Sequence, residues 1–359
     1  MQLRHLAAPE LEDHPAYDRH QEVVRVEDTA TGLCAFIAIH DTSLGAALGG
    51  CRVWRYADEA EALTDALRLS RGMTYKNALA GLDLGGGKAV IALGPETSPA
   101  PALFRKFGEA VEALGGRYIT AEDVGTSPAD MQAVAEATTH VRGTPGSRVE
   151  DPSPFTALGV FHGILAAAEH RFGARDLAGL TASVQGLGHV GWRVAEMLSR
   201  AGAELLVSDI DRARLDKAVS AWDAAAVAPQ EAHRARADIF VPCALGAGLN
   251  ATTIPQIRAA IVAGAANNQL AGPQDASRLA ERGILYAPDY AINAGGVIAI
   301  ALAGKRGSAQ AVTEKVEAIG ATLAAIFARA AEEGATTAAI ADRLAEERLA
   351  TARRRSQAA

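Results

Sequence analysis

The stretch TASVQGLGHVG, residues 181–191, constrains the fold of this chain more than any other. TASVQ is a short, largely apolar run that reads as a strand. Gly186, Gly188 and Gly191 follow at the spacing G-x-G-x-x-G and lead into a helix expected over 190–201. ELLVSD, 204–209, reads as the next strand and ends on Asp209. A strand that turns through glycines into a helix and then a second strand is a parallel crossover unit. The surrounding chain has the same texture, with a helix over 156–172 before it and the short strands IFVPC, AIVAGA and ILYAP after it. The C-terminal half is therefore expected to form a doubly wound parallel sheet.

In that setting each glycine has a role. Gly186 makes the tight turn, Gly188 lets backbone N–H groups approach a pyrophosphate, and Gly191 lets helix and strand pack closely. The pyrophosphate would sit at the helix N-terminus, among free N–H groups and the positive end of the helix dipole. Asp209 can accept hydrogen bonds from both ribose hydroxyls and would repel a 2′-phosphate, which favours NAD over NADP. The competing reading is a glycine-rich turn with no ligand.

The N-terminal half mixes elements differently. EVVRV (22–26) and LCAFIAI (33–39) read as a hairpin turned at EDTATG. Ala62, Leu63, Ala66, Leu67, Ser70 and Met73 recur at helical spacing, with acidic residues at the start of the stripe and basic ones at its end, as the helix dipole favours. KAVIAL reads as a strand, 102–114 as a helix and RYITAED as a strand. RGTPGSRVEDPSPF, 142–155, is the best linker candidate. One long helix is expected near 309–333 and a last one near 336–350, followed by a solvated basic tail, ARRR.

The 359 residues favour two domains, and a net charge of −7 argues against a general nucleic-acid surface or binding to anionic membranes. Three well-separated cysteines imply no disulfide framework, and no Cys/His cluster has metal-ligand spacing. The N-terminus lacks the apolar core of a signal peptide, no apolar run reaches membrane-spanning length, and a cytoplasmic protein is expected.

GLDLGGGKAV, residues 81–90, sets three glycines directly before Lys88. Read alone, this is a flexible turn with a surface lysine. Lys76 lies twelve residues earlier, and if the loop folds back, two ammonium groups face one cavity. Like charge and an apolar pocket both lower a lysine's proton affinity, so one lysine could act as a base while the other binds a carboxylate. Asp123, in TAEDVGTS, could carry protons. Each of the three read singly is an exposed charge.

Six segments in this order, GMTYKNALAGLDLGGGKAVI, YITAEDVGT, VQGLGHVG, PCALGA, VAGAANNQL and YAPDYAINAGGVI, resemble the Glu/Leu/Phe/Val amino-acid dehydrogenase superfamily, in particular its leucine, valine and phenylalanine dehydrogenases. The resemblance runs from about residue 22 to about 345. It implies an N-terminal α/β substrate and oligomerisation domain (1–148) and a C-terminal Rossmann domain (149–324). The catalytic cleft would lie between them, with helices 325–359 packing back on the first. The implied reaction is reversible oxidative deamination of an L-amino acid by NAD, giving a 2-oxo acid, ammonium and NADH, in a homo-oligomer.

The resemblance also assigns residues. Lys88 would activate water, Asp123 would move protons at the amino nitrogen, and Lys76 would hold the substrate carboxylate. Gly49, Gly50 and Met73 would line the substrate site, and the glycines before Lys88 would let the backbone crowd the substrate. Asn267 and Asn268 would touch the nicotinamide ribose and the substrate carboxylate. Gly186, Leu187, Gly188, His189, Val190, Gly191, Asp209, Thr156, Cys243, Ala244, Leu245 and Asn293 would join Asn267 around NAD. Leu48, Ala121, Val297 and Ile300 would form the side-chain pocket. Ala121 stands where aromatic-specific members tend to have glycine, which favours leucine, valine or isoleucine over phenylalanine. An aromatic substrate is the alternative within enzymes. The alternative outside them is an NAD-binding regulator without activity, against which the retained Lys76, Lys88 and Asp123 argue.

Overall fold

The computed structural model of the chain describes every residue except Arg148, Glu150, Leu245, residues 304–308, Ala358 and Ala359. It divides into two units, Met1–Glu150 with Ala345–Ala359, and Asp151–Leu344.

The first unit is a sheet covered by helices on both faces. Its elements in chain order are β1 (Gln2–His5), the single turn α1 (Ala8–Leu11), β2 (Glu22–Asp28), β3 (Leu33–Asp41), β4 (Ala47–Leu48) and β5 (Cys51–Trp54). After these come α2 (Glu59–Leu79), β6 (Gly85–Ala92), α3 (Pro101–Ala113), β7 (Tyr118–Ile119) and α4 (Pro128–Ala135). The strands lie in the order β1-β2-β3-β6-β4-β7, with β5 also on β6. β1, β2, β3 and β6 pair antiparallel, whereas β4 and β5 run parallel to successive stretches of β6 and are separated by Gly49 and Gly50.

Two-residue alternation sets the faces. Ala35, Ile37, Ile39, Cys51, Val53, Ala89 and Ile91 point to one side and pack with Phe104, Phe107 and Val111 of α3. Phe36, Ala38 and Val90 point to the other and pack with Ala62, Ala66 and Leu67 of α2. Lys88, two residues before Val90, therefore faces α2. That helix starts where the Asp58 carboxylate accepts the Glu61 N–H at 2.8 Å.

The second unit contains α5 (Ser153–Phe172), β8 (Thr181–Gln185), α6 (His189–Arg200), β9 (Glu204–Ser208), α7 (Arg212–Trp222), β10 (Ala225–Ala226), β11 (Ile239–Pro242) and β12 (Ile261–Val262). It continues with α8 (Gln274–Glu281), β13 (Leu285–Tyr286), α9 (Asp289–Ile292), α10 (Gly295–Ala303), α11 (Ala309–Glu317) and α12 (Ile319–Glu333). Its strands are all parallel in the order β10-β9-β8-β11-β12-β13. The order reverses direction beside β8, so the glycine turn after β8 sits at the topological switch point, where ligands of such sheets bind.

Five expectations are corrected. GGGK is not a turn, because Gly85–Gly87 open the central strand β6. RYITAED contributes only two strand residues, after which single bridges tie Thr120 to Val141 and Glu122 to Cys51. The helix near 309–333 is two helices, divided at Ala318. Helices 325–359 do not return as a block. Ile319 and Leu323 of α12 seat against Gly159 and Gly163 of α5, where even a Cβ would meet them at 2.6 and 2.7 Å, so α12 belongs to the second unit and the first takes only Ala345–Ala359. Finally, the basic tail is not loose. The last helix, α13 (Thr337–Gln357), runs through it, and Arg353 pairs with the buried Asp41 at 2.5 Å.

Candidate active site

The glycines before Lys88 are demanded by packing within the protein. A Cβ on Gly85 would lie 2.0 Å from the Asp41 carbonyl oxygen, one on Gly86 would lie 2.0 Å from the Thr74 amide nitrogen, and one on Gly87 would lie 2.8 Å from the Tyr118 ring. Of the three, the approach at Gly86 is the one that lets α2 lie against the sheet. Asn77, fully buried one helical turn after Thr74, donates to the Gly85 carbonyl at 2.6 Å and seals the same contact. Crowding by the chain itself already requires the glycine run.

Lys88 emerges from this contact 5% exposed, with Nζ 2.7 Å from Asp123 Oδ2. Asp123 follows β7 in a tight turn. Its N–H donates to the Thr126 hydroxyl at 2.9 Å, and Gly125 takes a φ of +81° under the Val53 carbonyl. Arg52 Nε also reaches Asp123 Oδ2, at 3.3 Å. Burial pushes the Asp123 carboxyl up, but Lys88 and then Arg52 pull it down by more, so it lies below the ordinary carboxylate range. The pair is an ion pair with a buried ammonium and a partly exposed carboxylate.

Leu48, Gly49, Gly50, Met73 and Ala121 gather at the same end of β4, β5 and β6. Gly49 abuts the Gly87 carbonyl and Met73, Gly50 abuts Asp123, and Ala121 accepts the Cys51 N–H at 2.8 Å. Tyr118 fixes the intervening bend by donating to the Gly49 carbonyl at 2.6 Å. Leu48 and Ala121 are buried, at 2% and 5% exposure. Lys76 stands one turn after Met73 on α2, half-buried, in the helix's last turn.

The second unit presents a cradle after β8. Gly186 takes a φ of +95°, and a Cβ on Gly191 would lie 1.9 Å from the Gly186 carbonyl oxygen. Both glycines are needed for the turn and for the seating of α6. Gly188, the N-cap of α6, is different, since a Cβ there would meet nothing within 4 Å. The space beside it is open to a ligand, next to the exposed His189 and the half-buried Val190. Asp209 accepts the Leu187 N–H at 2.6 Å on one oxygen and the Asp211 N–H at 2.7 Å on the other, which ties the turn to the end of β9. Asn293 donates to Asn267 Oδ1 at 2.8 Å, and its own Oδ1 is buried with no hydrogen-bond partner. An orphaned acceptor of this kind suits a carboxamide N–H, so the residues fit a nicotinamide dinucleotide. Thr156 lies in the first turn of α5, Ala244 is exposed after β11, and burial pushes the neighbouring Cys243 thiol up to about 12. Asn268 takes a φ of +50° on an exposed loop. Val297 and Ile300, one turn apart on α10, are half-buried. Leu245 lies outside the described residues.

Comparison with known proteins places the chain in a family. Residues 18–140 match the model of the Glu/Leu/Phe/Val dehydrogenase dimerisation domain, and 207–356 that of the glutamate/leucine/phenylalanine/valine dehydrogenases. The chain is 50% identical to a leucine dehydrogenase of Geobacillus stearothermophilus over 79% of its own length and 78% of that protein's. The chain belongs to the Glu/Leu/Phe/Val dehydrogenase family. It is thus an amino-acid dehydrogenase, an oxidoreductase of CH–NH2 groups, and the family and its parallel-sheet unit imply a nicotinamide cofactor. A phenylalanine dehydrogenase of Bacillus thermotolerans is 47% identical over 81% of the chain and 79% of that protein. Among solved structures, an L-tryptophan dehydrogenase from Nostoc punctiforme superposes with a TM-score of 0.84 at 43% identity, covering 94% of this chain and 97% of that one.

Within this dehydrogenase, the candidate residues divide between the units. The lysines, Asp123, Leu48, Ala121 and the glycine pair lie in the first, and the cradle, Asn267, Asn268, Asn293, Val297 and Ile300 lie in the second. Sequence reasoning assigned nothing to Arg52, Thr126 or Asn77. Alternation along CRVW, with Cys51 and Val53 pointing to the α3 face, is the signal that would have placed Arg52 on the Lys88 face.

Proposed function

We propose that this dehydrogenase catalyses the reversible oxidative deamination of a branched-chain aliphatic L-amino acid with NAD and water, giving the 2-oxo acid, ammonium and NADH. The pair of buried Lys88 and partly exposed Asp123 carries the reading. A lysine anchored in a central strand beside a carboxylate suits a general base placed against its proton relay.

In this reading Lys76 binds the substrate carboxylate. Asp123 takes a proton from the amino nitrogen and returns it as ammonia leaves. Lys88, in its neutral amine form once its own proton has been released, takes a proton from the water that attacks the imino carbon. Gly49 and Gly50 let the substrate lie close to the backbone, and Asn268 meets its carboxylate. NAD, when bound, supplies the hydride acceptor. Gly186, Gly188 and Gly191 would hold its pyrophosphate, Asp209 its adenosine ribose, and Thr156, Asn267 and Asn293 its nicotinamide end. Asp209 favours NAD over NADP through its charge.

Leu48, Ala121, Val297 and Ile300, which we assign to the substrate side chain, bear no charge. They suit an aliphatic side chain and would leave a glutamate carboxylate unpaired. The methyl of Ala121 removes room a phenyl ring would use, and β-branched Val297 is stiff. We assign substrate binding and homo-oligomer formation to the first unit and NAD binding to the second. The cytoplasm is the proposed compartment, supported by three free cysteines. Among the described residues no helix is long and apolar enough to cross a membrane. The test is NADH formation from NAD and L-leucine with matched release of ammonium. No turnover on any branched-chain amino acid refutes the reading.

A further inference from the structure

We propose that Arg52 is a positioning residue, whose guanidinium, anchored by Asp65 of α2, fixes the Asp123 carboxylate beside Lys88. The strand register places it there. Arg52 pairs across the ladder with Val90, and Cys51 with Ala89. Directly opposed residues share a face, so Arg52 points with Val90 and Lys88 toward α2. From that position Nε reaches Asp123 Oδ2 at 3.3 Å while Nη1 reaches Asp65 Oδ2 at 2.9 Å. Tyr56 donates its hydroxyl to the same Asp65 oxygen at 2.6 Å. The guanidinium is thus held at one end and holds at the other, a fork that a point charge cannot reproduce.

Two consequences follow for Asp123. Its carboxylate, at the end of a turn, has its rotamer fixed by two cations meeting one oxygen, Lys88 from β6 and Arg52 from β5. It also stays ionised against its burial, because both cations pull its proton affinity down. The other titratable groups that bear on it, Cys51 and Tyr118, are neutral, since burial pushes both upward. The far side of Arg52 borders an open cavity of about 400 Å³, shared with Trp54, Tyr56, Asp65, Arg68 and Val124, so a small cation has access to the place of the guanidinium.

The inference rests on the assignment of Asp123 to proton transfer at the amino nitrogen, and the experiment separates the two. Arg52→Ala, Arg52→Lys, Asp65→Asn and Asp123→Asn are compared in the full chain with L-leucine and NAD. Arg52→Ala is expected to lower kcat by roughly 10–100-fold, part of the roughly 10²–10⁴ an acid–base group supplies. NADH affinity, from fluorescence titration, stays within about twofold, because the dinucleotide cradle is untouched. Guanidinium chloride at millimolar concentration restores kcat saturably and methylammonium does not. The acid break in kcat/KM moves to higher pH, because Asp123 loses one of the cations that hold its proton affinity down. It stays in place in Arg52→Lys, which keeps the charge but recovers only part of kcat. Asp65→Asn loses less than Arg52→Ala and in the same direction. If Asp123→Asn loses activity while Arg52→Ala keeps it, or if the Arg52→Ala loss resists guanidinium and follows a lowered Tm, the role of Arg52 is overturned. If Asp123→Asn turns over as wild type, the assignment beneath it fails.

Discussion

The backbone of Thr74 stands where a side chain on Gly86 would begin, 2.0 Å from a Cβ built there. Helix and strand can approach this closely only at a glycine, and the approach brings the end of α2 that carries Lys76 over the strand that carries Lys88. Gly86→Ala must push the helix backbone away, and overpacking of this kind costs roughly 3 kcal/mol. Gly72, on the same helix, has nothing within 4 Å of its would-be Cβ. Gly72→Ala is expected to stabilise by about 0.5–1 kcal/mol through helix propensity. Urea denaturation of both variants checks the pair of opposite signs, and equal effects would refute the packing account.

Lys88→Met removes the proposed base and leaves the cradle of the second unit intact. Turnover is expected to fall by roughly 10²–10⁴-fold with NADH binding unchanged. Steady-state kinetics and NADH fluorescence on the same preparation separate the two, and a variant with near-normal turnover would show that the base is elsewhere.

Asp209 holds the Leu187 and Asp211 N–H groups and, with NAD bound, would meet the ribose. A 2′-phosphate against this charge costs on the order of 2 kcal/mol, about 30-fold in kcat/KM. Asp209→Asn should narrow that preference by raising activity with NADP relative to NAD. Equal kcat/KM for the two cofactors in the wild-type protein would contradict the assignment.

His20 is buried on the α2 face of the first unit, its Nε2 3.0 Å from both the Leu67 carbonyl and Ser70 Oγ. Burial, and then the nearby His40, hold its pKa down at about 4. The native protein keeps the ring neutral while the unfolded chain protonates it near 6.5, so stability falls as pH drops from about 6.5 to about 4. At the low end the loss is about 3 kcal/mol, at 1.36 kcal/mol per unit. Urea midpoints at neutral and mildly acid pH should show this fall, and His20→Asn should reduce it. An unchanged slope in the variant would place the titration at another group.

Much of this was legible in the sequence because it depends on local pattern. The glycine spacing before α6, the apolar run of β3 and the stripe on α2 are each features of one short stretch of sequence. Gly85–Gly87 were not legible in the same way. A glycine run specifies only that something comes close, and Asp41, Thr74 and Tyr118 are distant in sequence. Arg52 was missed because its role depends on Asp65 and Asp123, which meet it only through sheet register. The basic tail read as solvated because Asp41, its partner, lies some three hundred residues earlier. The break at Ala318 interrupts an apolar stripe that runs on in helical spacing, and Gly320 beside it was the one cue.

The central claim is the substrate, and kcat/KM for L-leucine, L-valine and L-phenylalanine with NAD tests it most directly. The proposed assignment of Leu48, Ala121, Val297 and Ile300 to the substrate side chain predicts leucine and valine within about 1–3 kcal/mol of each other, as befits one methylene, and both ahead of phenylalanine. Ala121→Gly combined with Val297→Ala should raise the relative activity on phenylalanine. Phenylalanine ahead of both aliphatic substrates in the wild-type protein would contradict the account.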